Sequence, residues 1–122
     1  ISEFGEKRST PEAVEDYNRT YMEADEALRT LPKPSIAAIR GFCVGGGLGI
    51  AMACDIRICS TGSRLGIPAA KLGLGYGLAG TRRLVDIAGP AAASEVLFSA
   101  RLFEAGEALG MRLVNRVVAE DV

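Results

Sequence analysis

Apolar residues recur at spacings of three and four between residues 14 and 31, which predicts an amphipathic helix. Thr10 can cap this helix, and Pro11 suits its first turn. Pro32 and Pro34 end it, because a proline disfavours helical backbone in the residue before it. The polar segment 1–8 is predicted to be a loop. The apolar stripe consists of Val14, Tyr17, Tyr21, Ala24, Leu28 and Leu31.

The stretch from Pro34 to Asp55 reads as three consecutive pieces. Ser35–Ile39 is a short apolar run after a proline, which predicts a buried strand. Three glycines, 45–47, then permit backbone conformations that other residues avoid. Leu48–Cys54 is apolar and lacks proline, which predicts a buried helix. The first N–H groups of such a helix have no helical acceptor, so this turn can hold an anion or a developing oxyanion.

The remaining pattern alternates short helices with short strands, which predicts an α/β fold. The Leu65–Gly80 segment holds five glycines, so it is predicted to be mostly an ordered loop. A turn is predicted at 61–63. The predicted elements after the buried helix are a strand at Arg57–Ser60, helices at Thr81–Ala88, Pro90–Ser99 and Glu104–Gly110, and a strand at Leu113–Val118.

The composition excludes several kinds of partner and catalysis but says little about the fold. The 122 residues are 48% hydrophobic with a net charge of −1, so no basic footprint for nucleic acid or an anionic membrane is present. No apolar run in the sequence reaches the ~20 residues of a membrane span. The sequence has no histidine, which excludes Ser-His-Asp and Cys-His catalysis by its own residues. Three cysteines in apolar surroundings predict reduced, buried thiols and a cytoplasmic protein.

One glycine pattern imitates a dinucleotide-binding motif. Gly75, Gly77 and Gly80 fit G-x-G-x-x-G ahead of a predicted helix. The preceding residues, 68–74, do not read as a strand, and no later strand ends in an acid at the expected distance. The motif is therefore better interpreted as a pocket wall and a helix entry than as an NAD site.

Four segments together resemble the crotonase superfamily, the enoyl-CoA hydratase/isomerase family. They are Ile36–Asp55 with its Gly-Gly-Gly-Leu-Gly core, Leu65–Gly75, Gly80–Leu84 and Leu113–Val118. The opening residues Ile-Ser-Glu-Phe are similar to those that follow the family's first oxyanion-hole segment. The resemblance implies a crotonase-like core of stacked ββα turns that form a spiral, with helices packed outside. Residues 1–122 are expected to be a single partial domain that lacks the N- and C-terminal parts of the family domain.

The resemblance also implies a substrate and a site. Crotonase-type enzymes bind an acyl-CoA thioester, and two backbone N–H groups stabilise the enolate formed from it. By resemblance, Gly46 supplies one of these donors. The resemblance implies no separate cofactor, because CoA is carried on the substrate, and it implies a homotrimer or a pair of trimers. The substrate-binding residues it implies are Gly45, Gly46, Gly49, Pro68, Ala69, Leu72 and Gly77.

The sequence departs from the hydratase pattern at both glutamate positions. One glutamate should lie three residues after the middle glycine, where this chain has Gly49, and the other should follow Pro68, where it has Ala69. Neither residue can transfer a proton, so hydration by the two-glutamate mechanism is disfavoured. The expected function is an acyl-CoA-processing lyase or isomerase without these groups. The alternatives are a catalytically silent acyl-CoA-binding or assembly protein, and a decarboxylase, hydrolase or dehalogenase branch.

Other side chains offer weaker candidates for the missing acid and base. Tyr76 can donate a hydrogen bond or a proton, although a packing role is favoured. Lys71 and Asp86 are expected to face solvent, and Asp55 is expected to bond to backbone groups.

A smaller departure lies near the last strand. The family usually places a glycine directly before Leu-Val, whereas here Arg112 holds that position and the glycine is at 110.

Overall fold

The computed structural model describes residues 10–121. The predicted loop at 1–8 lies outside these residues. The first helix, α1, runs from Pro11 to Arg29, and its cap is the predicted one: the Ala13 N–H donates to the Thr10 hydroxyl at 3.0 Å. No residue of α1 is fully buried, so it is an outer helix that contacts the rest of the fold along one stripe.

Within residues 10–121, six short strands form two three-stranded sheets. One sheet has the order β1 (Ile36–Ile39), β3 (Ile56–Ser60) and β6 (Arg116–Val118), and all its strands are parallel. The other has the order β2 (Phe42–Val44), β4 (Arg64–Gly66) and β5 (Phe103–Glu104). In the second sheet β2 and β4 are parallel, whereas β4 and β5 are antiparallel.

Successive turns of chain contribute one strand to each sheet and then a helix. β1 and β2 lead into α2 (Gly46–Ala53), and β3 and β4 lead into a 3-10 helix (Pro68–Leu72) and then α3 (Leu78–Ala88). The chain continues through α4 (Pro90–Ser99), β5, α5 (Ala105–Gly110) and β6. This is the ββα arrangement that the sequence predicted.

The core lies between the two sheets and the helices packed against them. Its buried side chains come from several turns of the spiral and form one cluster. Helix α2 is central, with five of its eight residues buried. The largest fully buried core side chains are Leu48, Leu65, Ile67, Leu84, Val96, Phe103 and Leu113.

The glycine-rich segment 65–80 is more regular than predicted, so its description as mostly loop was wrong. It contains the end of β4, the 3-10 helix and the start of α3, which begins three residues before the predicted Thr81. Strands β2 and β5 were also missed, because strands of two or three residues carry too little alternation to be recognised. Leu113 and Val114 precede the last strand rather than belong to it.

Candidate active site

The glycine turn between β2 and α2 builds the first part of the site. Gly45 has a φ of 58°, a left-handed value that glycine adopts without strain. Its N–H donates to the Gly66 carbonyl of the neighbouring strand at 2.9 Å, and its carbonyl accepts from the Gly49 N–H at 3.0 Å. Gly45 therefore fixes the turn and has no N–H left for a ligand.

Gly46 is the first residue of α2 and is exposed. Its N–H cannot bond within the helix, because the first N–H groups of an α-helix have no carbonyl one turn earlier. The positive end of the helix dipole lies at the same place. Most of the following residues of α2, among them Leu48, Ala51 and Met52, are buried, so the donor is attached to a packed helix. This arrangement can bind a carbonyl oxygen that gains negative charge.

Tyr21, a residue of α1, lies against the same turn. Its hydroxyl donates to the Gly46 carbonyl at 3.2 Å. A Cβ atom built on Gly49 would overlap this hydroxyl, so the phenol fills the space that a side chain at 49 would enter. Sequence reasoning assigned Tyr21 to the apolar stripe and missed it as a site residue. Nothing local marks it, because 25 residues separate Tyr21 from Gly46.

Tyr76 approaches Gly49 from the glycine-rich segment. Its hydroxyl lies 3.5 Å from the position of a Cβ on Gly49, and its ring covers Gly80, where a Cβ would come within 2.7 Å of the ring carbon Cε2. Tyr76 also packs against the core, as expected for a packing tyrosine. The hydroxyl groups of Tyr21 and Tyr76, which come from distant segments, therefore both lie close to Gly49 of α2.

An ion pair lies beside the two tyrosines. Arg83 of α3 and Asp25 of α1 are joined by a 2.8 Å Nη1–Oδ1 contact, and each side chain is only 18% exposed. Arg29 bonds the second oxygen of Asp25 at 3.1 Å. Burial alone would raise the pKa of Asp25, but the hydrogen bonds from Arg83 and Arg29 outweigh it and hold the pKa below its ordinary value. Asp25 is thus a charged, fully engaged carboxylate.

The two phenols stay protonated at neutral pH. Burial, followed by the proximity of Tyr76 and Asp25, raises the pKa of Tyr21 to about 12. Burial also raises the pKa of Tyr76, although the charge of Arg83 opposes it. A protonated phenol donates a hydrogen bond or a proton but cannot act as a base. Tyr21 and Tyr76, the two phenols beside Gly46 and Gly49, can therefore act as acids but not as bases.

The other predicted pocket residues lie in the segment that carries Tyr76. Pro68 and Ala69 are half-buried in the 3-10 helix, and Ala69 packs on the core. Leu72 is 64% exposed. Gly77 is exposed and precedes α3, where its carbonyl accepts from the Thr81 N–H at 2.9 Å. Their contact with a substrate stays a prediction.

Several weaker candidates take the structural roles expected of them. Asp55 accepts from the Ser35 N–H at 2.8 Å, and Lys71 and Asp86 are exposed. The G-x-G-x-x-G motif follows a 3-10 helix rather than a strand, which does not fit a dinucleotide site. Cys43 and Cys59 are buried, Cys54 is half-buried, and all three are unpaired thiols. Burial, with Cys59 nearby, raises the pKa of Cys43 to about 11, which makes it unreactive.

Residues 10–121 contain no cluster of three or more metal-ligating side chains placed to hold an ion. Within the same range, no helix combines the length and the apolar character needed to cross a membrane.

Comparison with known proteins shows which family the chain resembles. The family model for enoyl-CoA hydratase/isomerase matches residues 3–122. Over 91 residues the chain is 48% identical to the short-chain-enoyl-CoA hydratase of Clostridium acetobutylicum and 42% identical to the crotonyl-CoA hydratase of Syntrophomonas wolfei. Each alignment covers 75% of this chain and 35% of the relative, so the matched part spans about a third of these proteins.

Solved structures extend the agreement to the fold. The structure of an enoyl-CoA hydratase/isomerase family protein from Hyphomonas neptunium superposes with a TM-score of 0.91 at 42% identity. The superposition covers 98% of this chain and 45% of that one. Because the family model matches nearly the whole chain and the ββα spiral is shared, the chain belongs to the enoyl-CoA hydratase/isomerase family of the crotonase superfamily.

Proposed function

We propose that the protein acts on acyl-CoA thioesters and stabilises the thioester enolate through the Gly46 N–H group. The observation that carries this proposal is the turn at the start of α2. There Gly45 is locked by its bond to Gly66, and the Gly46 N–H is left at an exposed helix N-terminus. A preorganised backbone donor of this kind is worth about 10²–10³ in rate, because it need not reorganise as charge develops. The names of the relatives support a lyase or isomerase reaction.

A second candidate is a catalytically silent protein that binds acyl-CoA or assembles with partners. The specific observation in its favour is the absence of a carboxylate at Gly49 and Ala69. Tyr21 fills the space at Gly49, so no rearrangement of α2 alone would admit an acidic side chain there. The decarboxylase, hydrolase and dehalogenase branches remain alternatives for the same reason.

The cofactor requirement, the oligomeric state and the cellular location of the protein are also proposals. CoA enters as part of the substrate, and the reaction needs no separate cofactor. We propose a homotrimer or a pair of trimers in the cytoplasm. Exposed apolar side chains, with Phe98 81% and Leu78 84% exposed, are available for such contacts.

The test combines turnover and binding in the intact protein. A panel of acyl-CoA thioesters is incubated with it, and their masses are followed, with NMR added for mass-neutral isomerisation. Binding is followed with cinnamoyl-CoA, whose conjugated absorbance moves to longer wavelength when its carbonyl is polarised. Mass change in any panel member supports the enzyme. Binding with a wavelength shift but no conversion supports the silent alternative.

A matched pair of variants tests the role of the Gly46 N–H group. Gly46→Pro removes the N–H at the first helical position, which accepts proline, and Gly46→Ala keeps the N–H. Both variants add the same Cβ, 3.3 Å from a ring carbon of Tyr21, so the pair differs in the donor. We expect Gly46→Pro to lose the wavelength shift and Gly46→Ala to retain it. Equal shifts in both would contradict the role of Gly46.

A further inference from the structure

We propose that the Tyr21 hydroxyl is the proton donor of this site and delivers its proton to the α-carbon of the enolate held by Gly46. This inference rests on the proposed function and goes beyond it, because it assigns the acid that the two glutamate positions cannot supply. It places that acid on α1, outside the glycine segments.

The position of the hydroxyl carries the argument. Tyr21 donates to the carbonyl of Gly46, the same residue whose N–H is proposed to bind the thioester oxygen. The hydroxyl also fills the space that a Cβ on Gly49 would occupy. By resemblance, position 49 is one of the two that carry the glutamates handling water and the proton. The Tyr21 hydroxyl therefore stands where one of the missing carboxylates would begin.

Two glycines make room for the phenols. Gly49 is buried, and any side chain there would collide with the Tyr21 hydroxyl. Gly80 permits the close approach of the Tyr76 ring, whose hydroxyl faces the same point on α2. Tyr21 is the closer of the two phenols to Gly49, and it is the one bonded to Gly46.

The surrounding charges keep Tyr21 in its acid form. The groups that act on it are Tyr76, Asp25, Tyr17 and Arg83. Asp25 is bonded to Arg83 and Arg29, so it does not take the proton of Tyr21. Tyr21 can therefore give a proton at neutral pH and recover it from solvent.

The step balances without another reactant. The enolate forms in one of two ways: water adds to the β-carbon of an enoyl thioester and releases one proton to the solvent, or a malonyl-type thioester loses CO₂. Its electron pair then forms the new C–H bond at the α-carbon, while the O–H bond of Tyr21 breaks. The resulting phenolate takes a proton from water, and the thioester carbonyl is restored.

The test uses two probes that reach an enolate by these two routes, crotonyl-CoA and ethylmalonyl-CoA, in D₂O. A positioned donor places deuterium on one face of the α-carbon, which NMR of the product reads directly. We expect Tyr21→Phe to lower kcat by about 10²–10⁴. The residual product should carry deuterium on both faces. Met22→Leu, at the next position of the same helix where the side chain is 68% exposed, is the control and should keep both rate and stereochemistry.

Cinnamoyl-CoA binding separates the possible failures. If Tyr21→Phe keeps the wavelength shift while rate and stereochemistry change, the assignment is supported. Loss of the shift in Tyr21→Phe would make Tyr21 a positioning residue for the glycine turn and overturn its role as donor. Unchanged rate and stereochemistry, or binding by the parent without conversion of either probe, would also overturn it. Failure of the parent to bind cinnamoyl-CoA would overturn the proposed function itself and this assignment with it.

Discussion

Arg112 occupies a backbone conformation that side chains rarely adopt, with a φ of 66°. It follows the end of α5 in a Schellman motif. The Leu113 N–H donates to the Ala108 carbonyl at 2.9 Å, and the Arg112 N–H donates to the Leu109 carbonyl at 3.1 Å. The family glycine expected before Leu-Val would sit at this left-handed position. The departure seen in the sequence is therefore a strained arginine in an otherwise preserved helix end.

We expect Arg112→Gly to stabilise the protein by about 1 kcal/mol, because glycine removes the left-handed penalty at an exposed site. The measurement is the midpoint of urea unfolding. Arg82→Gly is the control, since Arg82 is exposed within α3, where glycine should cost about 1 kcal/mol. Equal destabilisation by the two substitutions would contradict the conformational argument.

Gly49 and Tyr21 form a second pair that can be tested at the residue scale. Gly49→Ala alone should destabilise the protein by about 1–3 kcal/mol, because its Cβ overlaps the phenol oxygen. In a Tyr21→Phe background the same Cβ would meet ring carbon Cζ at 3.4 Å, an ordinary contact. The cost should then vanish or become a gain, because alanine is the better helix former. Unfolding free energies of the four proteins give the coupling, and additive values would show that the two positions are independent.

Buried Arg57 ties several elements together. Its side chain donates to the Leu113 carbonyl at 2.7 Å and to the Cys54 carbonyl at 2.9 Å. Its backbone N–H donates to the Asn115 amide oxygen at 2.8 Å. The positive charge lies beside the C-terminal end of α2, where the helix dipole favours it. The guanidinium thus links α2 to the chain that follows α5.

At the scale of elements, we expect Arg57→Lys to destabilise the protein by about 2–4 kcal/mol. Lysine has one ammonium nitrogen in place of the branched guanidinium and cannot reach both carbonyls. At least one buried carbonyl therefore loses its hydrogen-bond donor. Arg116→Lys, at an exposed position of β6, should have an effect within about 0.5 kcal/mol. Urea unfolding of the two variants distinguishes them. A loss at Arg57 no larger than at Arg116 would contradict the linking role.

At the scale of the whole molecule, folding holds several weak acids in their neutral form. Burial raises the pKa of Tyr21 from 10.0 to about 12 and that of Cys43 from 9.0 to about 11. A raised pKa in the folded state means that these groups contribute full stability below their unfolded pKa values. That contribution is lost as the pH rises through the folded values. The neutral range is unaffected by these two groups.

The expected result is an unfolding free energy that declines above about pH 9–10. Tyr21→Phe should show a shallower decline between pH 10 and 12, since phenylalanine cannot ionise. Urea unfolding across this range measures both curves. Parallel curves for the parent and the variant would show that Tyr21 ionises equally easily in both states.

The sequence by itself determined the helices and the family. Periodicity over several turns marked α1, and Gly89-Pro90 marked the end of α3 and the start of α4. The Gly-Gly-Gly-Leu-Gly segment located the turn at which the Gly46 donor is proposed. These signals are local, because capping, chain breaking and one-sided burial act within a few residues. Strands of two or three residues, such as β2 and β5, were not predicted, because their pairing with distant strands defines them.

Only the tertiary structure decided what stands at the position of the missing glutamate. Tyr21 looked like one member of an apolar stripe, and the packing of α1 against α2 brings its hydroxyl to Gly46. Arg112 likewise revealed its strain only through its backbone angle. For Tyr21 the deciding quantity is a contact with a residue 25 positions along the chain, which no local pattern encodes. For Arg112 it is a backbone dihedral, which the sequence marks only as an arginine in place of the family glycine.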